Sequence, residues 1–158
     1  MYKSLVRPHL DYCSQIWNVH FIKDIDVIEK VQRRATRMIL ECKGLDYEER
    51  LIKTRLTTLE TRRLRADLIQ VFKIVQGLED VDEEIFFTRV DKNPIHATRG
   101  HSFKLFKSRF NTDSAKFSFG HRIVSTWNSL PNDIVQSHSV LNFKMKIDQW
   151  LVKSLGRK

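Results

Sequence analysis

Cysteine is scarce in this chain: 158 residues hold two, Cys13 and Cys42, far apart. That excludes a disulfide framework and points to a reducing compartment. No apolar stretch is long enough to span a bilayer. Lys3, Arg7, Pro8, His9 and Asp11 interrupt what would be the apolar core of a signal peptide. The expectation is a soluble intracellular protein, cytoplasmic or nuclear and not secreted. Internal repeats and low-complexity tracts are absent as well.

Catalytic patterns are missing too. His9 and Cys13 are four apart, but no second pair at CxxC or HxxxH spacing completes a zinc site. A core cysteine and a surface histidine explain them better. His96, His101 and His121 have no ligand spacing. There is no GxSxG elbow and no glycine-rich phosphate loop. Nucleotidyl transfer needs carboxylates that hold metal ions about 3.5–4 Å apart. The close Asp pairs are Asp24 with Asp26, at a helix start where Asp serves as a cap, and Asp80 with Asp82, in a charge run. No catalytic residue and no metal site is assigned, no cofactor is expected, and the chain alone is not read as an enzyme.

Hydrophobic residues make up 41% of the chain, enough for a modest core, and the charge is strongly basic, 28 Lys and Arg against 19 Asp and Glu. A net charge of +9 favours polyanionic partners, nucleic acid first. The periodicity is mainly helical. Tyr2–Trp17 has helical spacing with Pro8 near its first turn or as a kink, and no clear cap. Asp24–Glu41 is a stronger helix. Its apolar arc is Val27, Ile28, Val31, Ala35, Met38 and Ile39 at about 100° per residue. Lys30, Arg33, Arg34 and Arg37 lie opposite, and Gly44 supplies a stop. A short helix follows from Tyr47, with Asp46 and Glu49 spaced as a capping box. The next begins after Thr57, with Glu60 at the same spacing. Leu64, Leu68, Val71, Phe72 and Val75 form its apolar face, and Gly77 ends it.

Residues 79–91 are acidic, with a helical turn near Ile85 and Phe86; residues 92–115 are basic. Phe103, Phe106 and Phe110 have helical spacing, whereas Phe103 and Leu105 share a strand face. Short length and flanking turn residues favour a β-hairpin over Ser102–Phe110, turning at Asn111–Asp113 and returning over Lys116–Phe119. A helix over His121–Leu130 presents Ile123, Val124, Trp127 and Leu130 and closes at Pro131. The last helix, Ser139–Leu155, is capped by Ser139. The expected fold is mainly α: a helical N-terminal lobe (1–78), an acidic then basic linker (79–100), and a mixed C-terminal lobe (101–158) with a short hairpin and two helices.

The basic residues form groups: Lys30, Arg33, Arg34 and Arg37; Arg62 and Arg63; and Arg99, Lys104, Lys107, Arg109 and Arg122 among phenylalanines. Guanidinium groups pair with phosphate through two parallel hydrogen bonds, and each phosphate neutralised releases counterions. A solvated face partly paired with Glu29, Glu41, Glu48, Glu49 and Glu60 explains any single one of these arginines better. The set as a whole favours nucleic acid. The phenylalanines fit core better than base-stacking platforms.

Several strings, in order, carry a resemblance. They are Leu5-Val6-Arg7-Pro8-His9-Leu10-Asp11-Tyr12-Cys13 with Trp17, Lys23-Asp24-Ile25, and Glu29-Lys30-Val31-Gln32-Arg33-Arg34-Ala35-Thr36-Arg37. Then come Tyr47-Glu48-Glu49-Arg50-Leu51, Leu56 through Arg65, Thr98-Arg99-Gly100, Arg122-Ile123-Val124, Trp127-Asn128-Ser129-Leu130-Pro131 and Phe143-Lys144. The order resembles the region after the polymerase core in jockey-like non-LTR retrotransposon reverse transcriptases, over nearly the whole chain. The resemblance implies an RNA-directed DNA polymerase parent with its Mg-binding aspartates in an upstream palm, in a Tyr/Phe-x-Asp-Asp turn that this sequence lacks. The family chain would continue upstream of Met1. Residues 1–78 would correspond roughly to a thumb, a truncated fragment's grip on the RNA or RNA/DNA template–primer backbone. The polymerase core is a further implied partner; no membrane and no small-molecule substrate is implied. The alternatives are a free-standing basic helical DNA-binding module and a reused protein-interaction scaffold.

Overall fold

The computed structural model describes residues 2–90 and 101–155. Ten α-helices account for most of the described residues, and no β-strand occurs among them. They group into two compact units, Met1–Leu64 and Arg65–Lys158, divided inside one helix. Residues 91–100 of the expected linker lie outside the described residues.

The first unit opens with a π-turn, Tyr2–Val6, then α1 (Arg7–Asp11) and α2 (Ser14–Trp17). The single helix expected over Tyr2–Trp17 is therefore broken. Pro8 sits in the first turn of α1 and has no N–H to give to the turn before it, which is wound wider. Cys13, left-handed at φ 50°, separates α1 from α2. α3 runs Ile22–Arg37, and a 3-10 turn over Leu40–Cys42 follows it. Gly44 thus follows that turn rather than stopping α3. α4 (Tyr47–Thr54) has the expected capping box: Asp46 accepts the Glu49 N–H at 2.8 Å, and Glu49 accepts the Asp46 N–H at 3.0 Å. α5 (Leu59–Val75) is capped by Thr58, whose hydroxyl accepts the Thr61 N–H at 3.2 Å, one residue later than the expected Thr57. It ends at Gly77, φ 66°, where Leu78 N–H reaches the Lys73 carbonyl and Gly77 N–H the Ile74 carbonyl. That pair of bonds is a Schellman motif, and it needs the left-handed residue glycine supplies.

α3 is turned away from its expected orientation. Its buried residues are Glu29, Gln32 and Thr36. Val27, Val31, Met38 and Ile39 are exposed, and Ile28 and Ala35 are half-buried. The reason lies in distant partners. Glu29 accepts the Leu59 N–H at 2.9 Å, so it caps α5 from across the unit. Gln32 donates to the Thr57 carbonyl at 2.9 Å and to the Tyr47 hydroxyl at 3.1 Å, and accepts from the Tyr2 hydroxyl at 2.9 Å. Tyr47 in turn donates to Glu29. Burial and the Glu29 carboxylate push the Tyr2 hydroxyl up to about 12 and the Tyr47 hydroxyl higher still, so both stay protonated donors.

In the second unit, α5 from Arg65 onward is followed by a 3-10 turn at Glu83–Ile85. Then come α6 (Asp113–Phe117), α7 (Phe119–Arg122), α8 (Val124–Asn128), α9 (Asn132–Val135) and α10 (Val140–Leu155). The mixed lobe with a β-hairpin is overturned. A lone antiparallel bridge joins Arg89 to Leu105. The Asn128 side chain takes both backbone groups of Leu105, at 2.9 and 2.8 Å, where a second strand would bond. Thr112, placed in the expected hairpin turn, instead caps α6 by accepting the Ala115 N–H at 3.3 Å, and the expected return strand is helical. The helix expected over His121–Leu130 is divided between α7 and α8 by Ile123, and Pro131 starts α9.

The core of this unit is apolar. Phe72 stacks on Phe143 at 4.3 Å, and Trp127 lies 6.1 Å from Phe143. The Trp127 indole N–H donates to the Phe103 carbonyl at 2.8 Å. Leu68, Val71, Ile123, Ile147 and Leu151 complete it. Burial holds the His101 imidazole below its ordinary pKa, while its bond to the Trp127 carbonyl opposes the shift. At Gly120 a Cβ would stand 2.7 Å from the Phe86 carbonyl oxygen, so only glycine fits there. Among the described residues no helix is long and apolar enough to cross a membrane.

Candidate nucleic-acid interface

The structure sorts the basic residues by whether an anion already holds them. Arg62 donates to Asp11 at 2.5 Å. Arg122 makes a two-pronged pair with Asp67, at 3.0 and 3.1 Å, and its charge also lies 5.7 Å from the Phe119 ring. Arg63 is buried with its guanidinium 5.0 Å from the Trp17 ring. These three are internal fasteners. In the second unit Lys107 donates to the Ser125 hydroxyl at 2.8 Å, Lys104 is half-buried and Arg109 is exposed. Arg99 lies outside the described residues.

α3 differs. Lys30, Arg34 and Arg37 are exposed on one side of the helix, and none has a carboxylate within ion-pair distance among the described residues. At about 100° per residue they span a narrow arc, adjoining the exposed Val27, Val31 and Met38. A row of unpaired, solvated cations is the arrangement that displaces counterions from a polyanion.

Arg33 departs from this row. It is half-buried, with its guanidinium 5.0 Å from the Tyr47 ring. Arg50, which sequence reasoning passed over, lies 5.6 Å from the same ring and is buried. Arg33, Arg37, Arg50 and Tyr47 line a cleft of about 580 Å³ with Leu45, Asp46 and Glu48. The one available signal was the three-residue spacing of Tyr47 and Arg50, which puts both on one side of α4.

No group of three or more His, Cys, Asp or Glu side chains among the described residues is placed to hold a metal ion. Asp24 and Asp26 stand two apart on α3, about 200° around the helix, and so cannot share one ion. These two residues do not fit the magnesium site of a polymerase. No family model, curated protein or solved structure matches the chain.

Proposed function

We propose that this chain is a post-palm segment of a jockey-like non-LTR retrotransposon reverse transcriptase. In this reading its helical N-terminal unit grips the sugar–phosphate backbone of RNA or an RNA/DNA template–primer, and polymerisation belongs to another part of the parent protein. The ordered strings from Leu5 to Lys144 support the origin. The observation that carries the binding role is the unpaired row Lys30, Arg34 and Arg37 on α3, whereas Arg62, Arg65, Arg89 and Arg122 are each held by a carboxylate. A backbone grip needs charge and helix spacing, not base-edge readers, and the exposed side of α3 offers charge between apolar residues.

The test is binding of an RNA–DNA hybrid across a salt series. Lys30→Gln combined with Arg34→Gln should weaken affinity for every sequence and reduce the slope of log K against log salt by about one to two units. An unchanged slope would refute the backbone grip. Strong preference for one DNA sequence at physiological salt would favour a free-standing DNA-binding module instead.

A further inference from the structure

The cleft between α3 and α4 poses an electrostatic problem. Arg50 is only 7% exposed, and its Nε–H is buried without an acceptor. The Arg33 Nε–H is buried without one too. One Arg50 Nη donates to the Leu45 carbonyl at 3.0 Å, and both guanidinium groups lie against the Tyr47 ring. Contact with a ring face offsets part of the cost of removing a cation from water, but it supplies no hydrogen-bond acceptor. Arg62, Arg65, Arg89 and Arg122 are each met by a carboxylate. Arg33, Arg37 and Arg50 are not, although Asp46 and Glu48 line the same cleft. Asp46 is engaged by the Glu49 N–H as the cap of α4, and Glu48 points to solvent as an exposed residue.

From this we infer that the cleft is an anion site for a phosphate monoester group, with Arg33, Arg37 and Arg50 as its ligands and Tyr47 as the platform that holds two of them. A planar carboxylate satisfies one guanidinium fork. Three guanidinium groups around one cleft match a tetrahedral dianion, which offers several oxygens at once. The cleft is larger than a phosphate needs, so the group can enter attached to a nucleoside or to the 5′ end of a strand. The site does not depend on the backbone grip: apart from Arg37, it uses different residues from the row on α3.

Calorimetric titration of the full chain tests this with inorganic phosphate, and with one RNA oligonucleotide carrying either a 5′-phosphate or a 5′-hydroxyl. Arg37→Gln, at the exposed rim, removes a ligand without touching the buried network; circular dichroism would confirm its fold. Inorganic phosphate should bind the wild type, and Arg37→Gln and Arg33→Gln should each weaken it about ten- to hundredfold. Lys30→Gln combined with Arg34→Gln should leave phosphate binding unchanged, which separates this site from the row on α3. A 5′-phosphate that raises oligonucleotide affinity, with the gain lost in Arg37→Gln, would identify a strand end as the source. Equal affinity for the two oligonucleotides, with phosphate still bound, would support a small phosphate ester. Wild-type protein that ignores phosphate, or an Arg33→Gln and Arg37→Gln pair that binds it like wild type, would overturn the site.

Discussion

The two units solve the problem of an interior differently. From Arg65 onward the interior is apolar and filled by large side chains from several helices: Phe72, Trp127, Phe143, Ile147 and Leu151. Up to Leu64, the buried apolar side chains among the described residues are Cys42, Leu51 and Leu59, and the centre is the Tyr2–Gln32–Tyr47–Glu29 network. Meanwhile Leu5, Ile16, Phe21, Ile22, Val27, Met38, Leu40 and Ile52 face outward. Apolar burial scales with area removed from water, whereas a buried hydrogen bond returns only a small net gain. The second unit therefore carries most of the stability. The first has an arrangement specified by the hydrogen bonds among Tyr2, Glu29, Gln32 and Tyr47, but a shallow energy well.

The contrast can be broken most sharply at Trp127. Trp127→Ala should cost the second unit about 3–5 kcal/mol, measured by urea denaturation, since it removes a fully buried indole and its bond to Phe103. A cost below about 1 kcal/mol would mean that this core is not close-packed.

Smaller and more telling is the pair of α3 variants. Gln32→Ala should cost about 1–3 kcal/mol, because it strands the Thr57 carbonyl and the Tyr2 hydroxyl. Val27→Ser, on the exposed apolar arc, should stay within about 0.5 kcal/mol of wild type. The reverse order, measured by the same unfolding curves, would restore the conventional orientation of α3 with its apolar arc inside.

That orientation marks where sequence reading fails. Local signals read well: the Asp46–Glu49 capping box, Gly77 after α5 and the Ser139 cap of α10, whose hydroxyl accepts the Asn142 N–H at 3.1 Å. Each depends on residues within one helical turn. The direction in which α3 faces depends on Tyr2, Tyr47, Thr57 and Leu59, which lie 15 to 30 residues from their partners. Periodicity alone placed Val27 and Val31 inside and gave Gln32 no role. The hairpin failed for a similar reason, since the Asn128 amide, 23 residues away, serves Leu105 in place of a strand. Among the site residues, the row Lys30, Arg34 and Arg37 was legible from helix spacing. The removal of Arg62 and Arg122 into ion pairs was not, because Asp11 and Asp67 are 51 and 55 residues distant. Arg50 was missed because an arginine on a short amphipathic helix looks solvated until its burial is known.

Amide hydrogen exchange followed by mass spectrometry, with and without an RNA–DNA hybrid, tests the difference between the units most directly. Without the hybrid, α3 and α4 should exchange much faster than α8 and α10, and adding it should slow α3 and α4 while leaving α10 unchanged. Protection of α3 equal to that of α10 in the free chain, or hybrid-induced protection confined to the second unit, would contradict it.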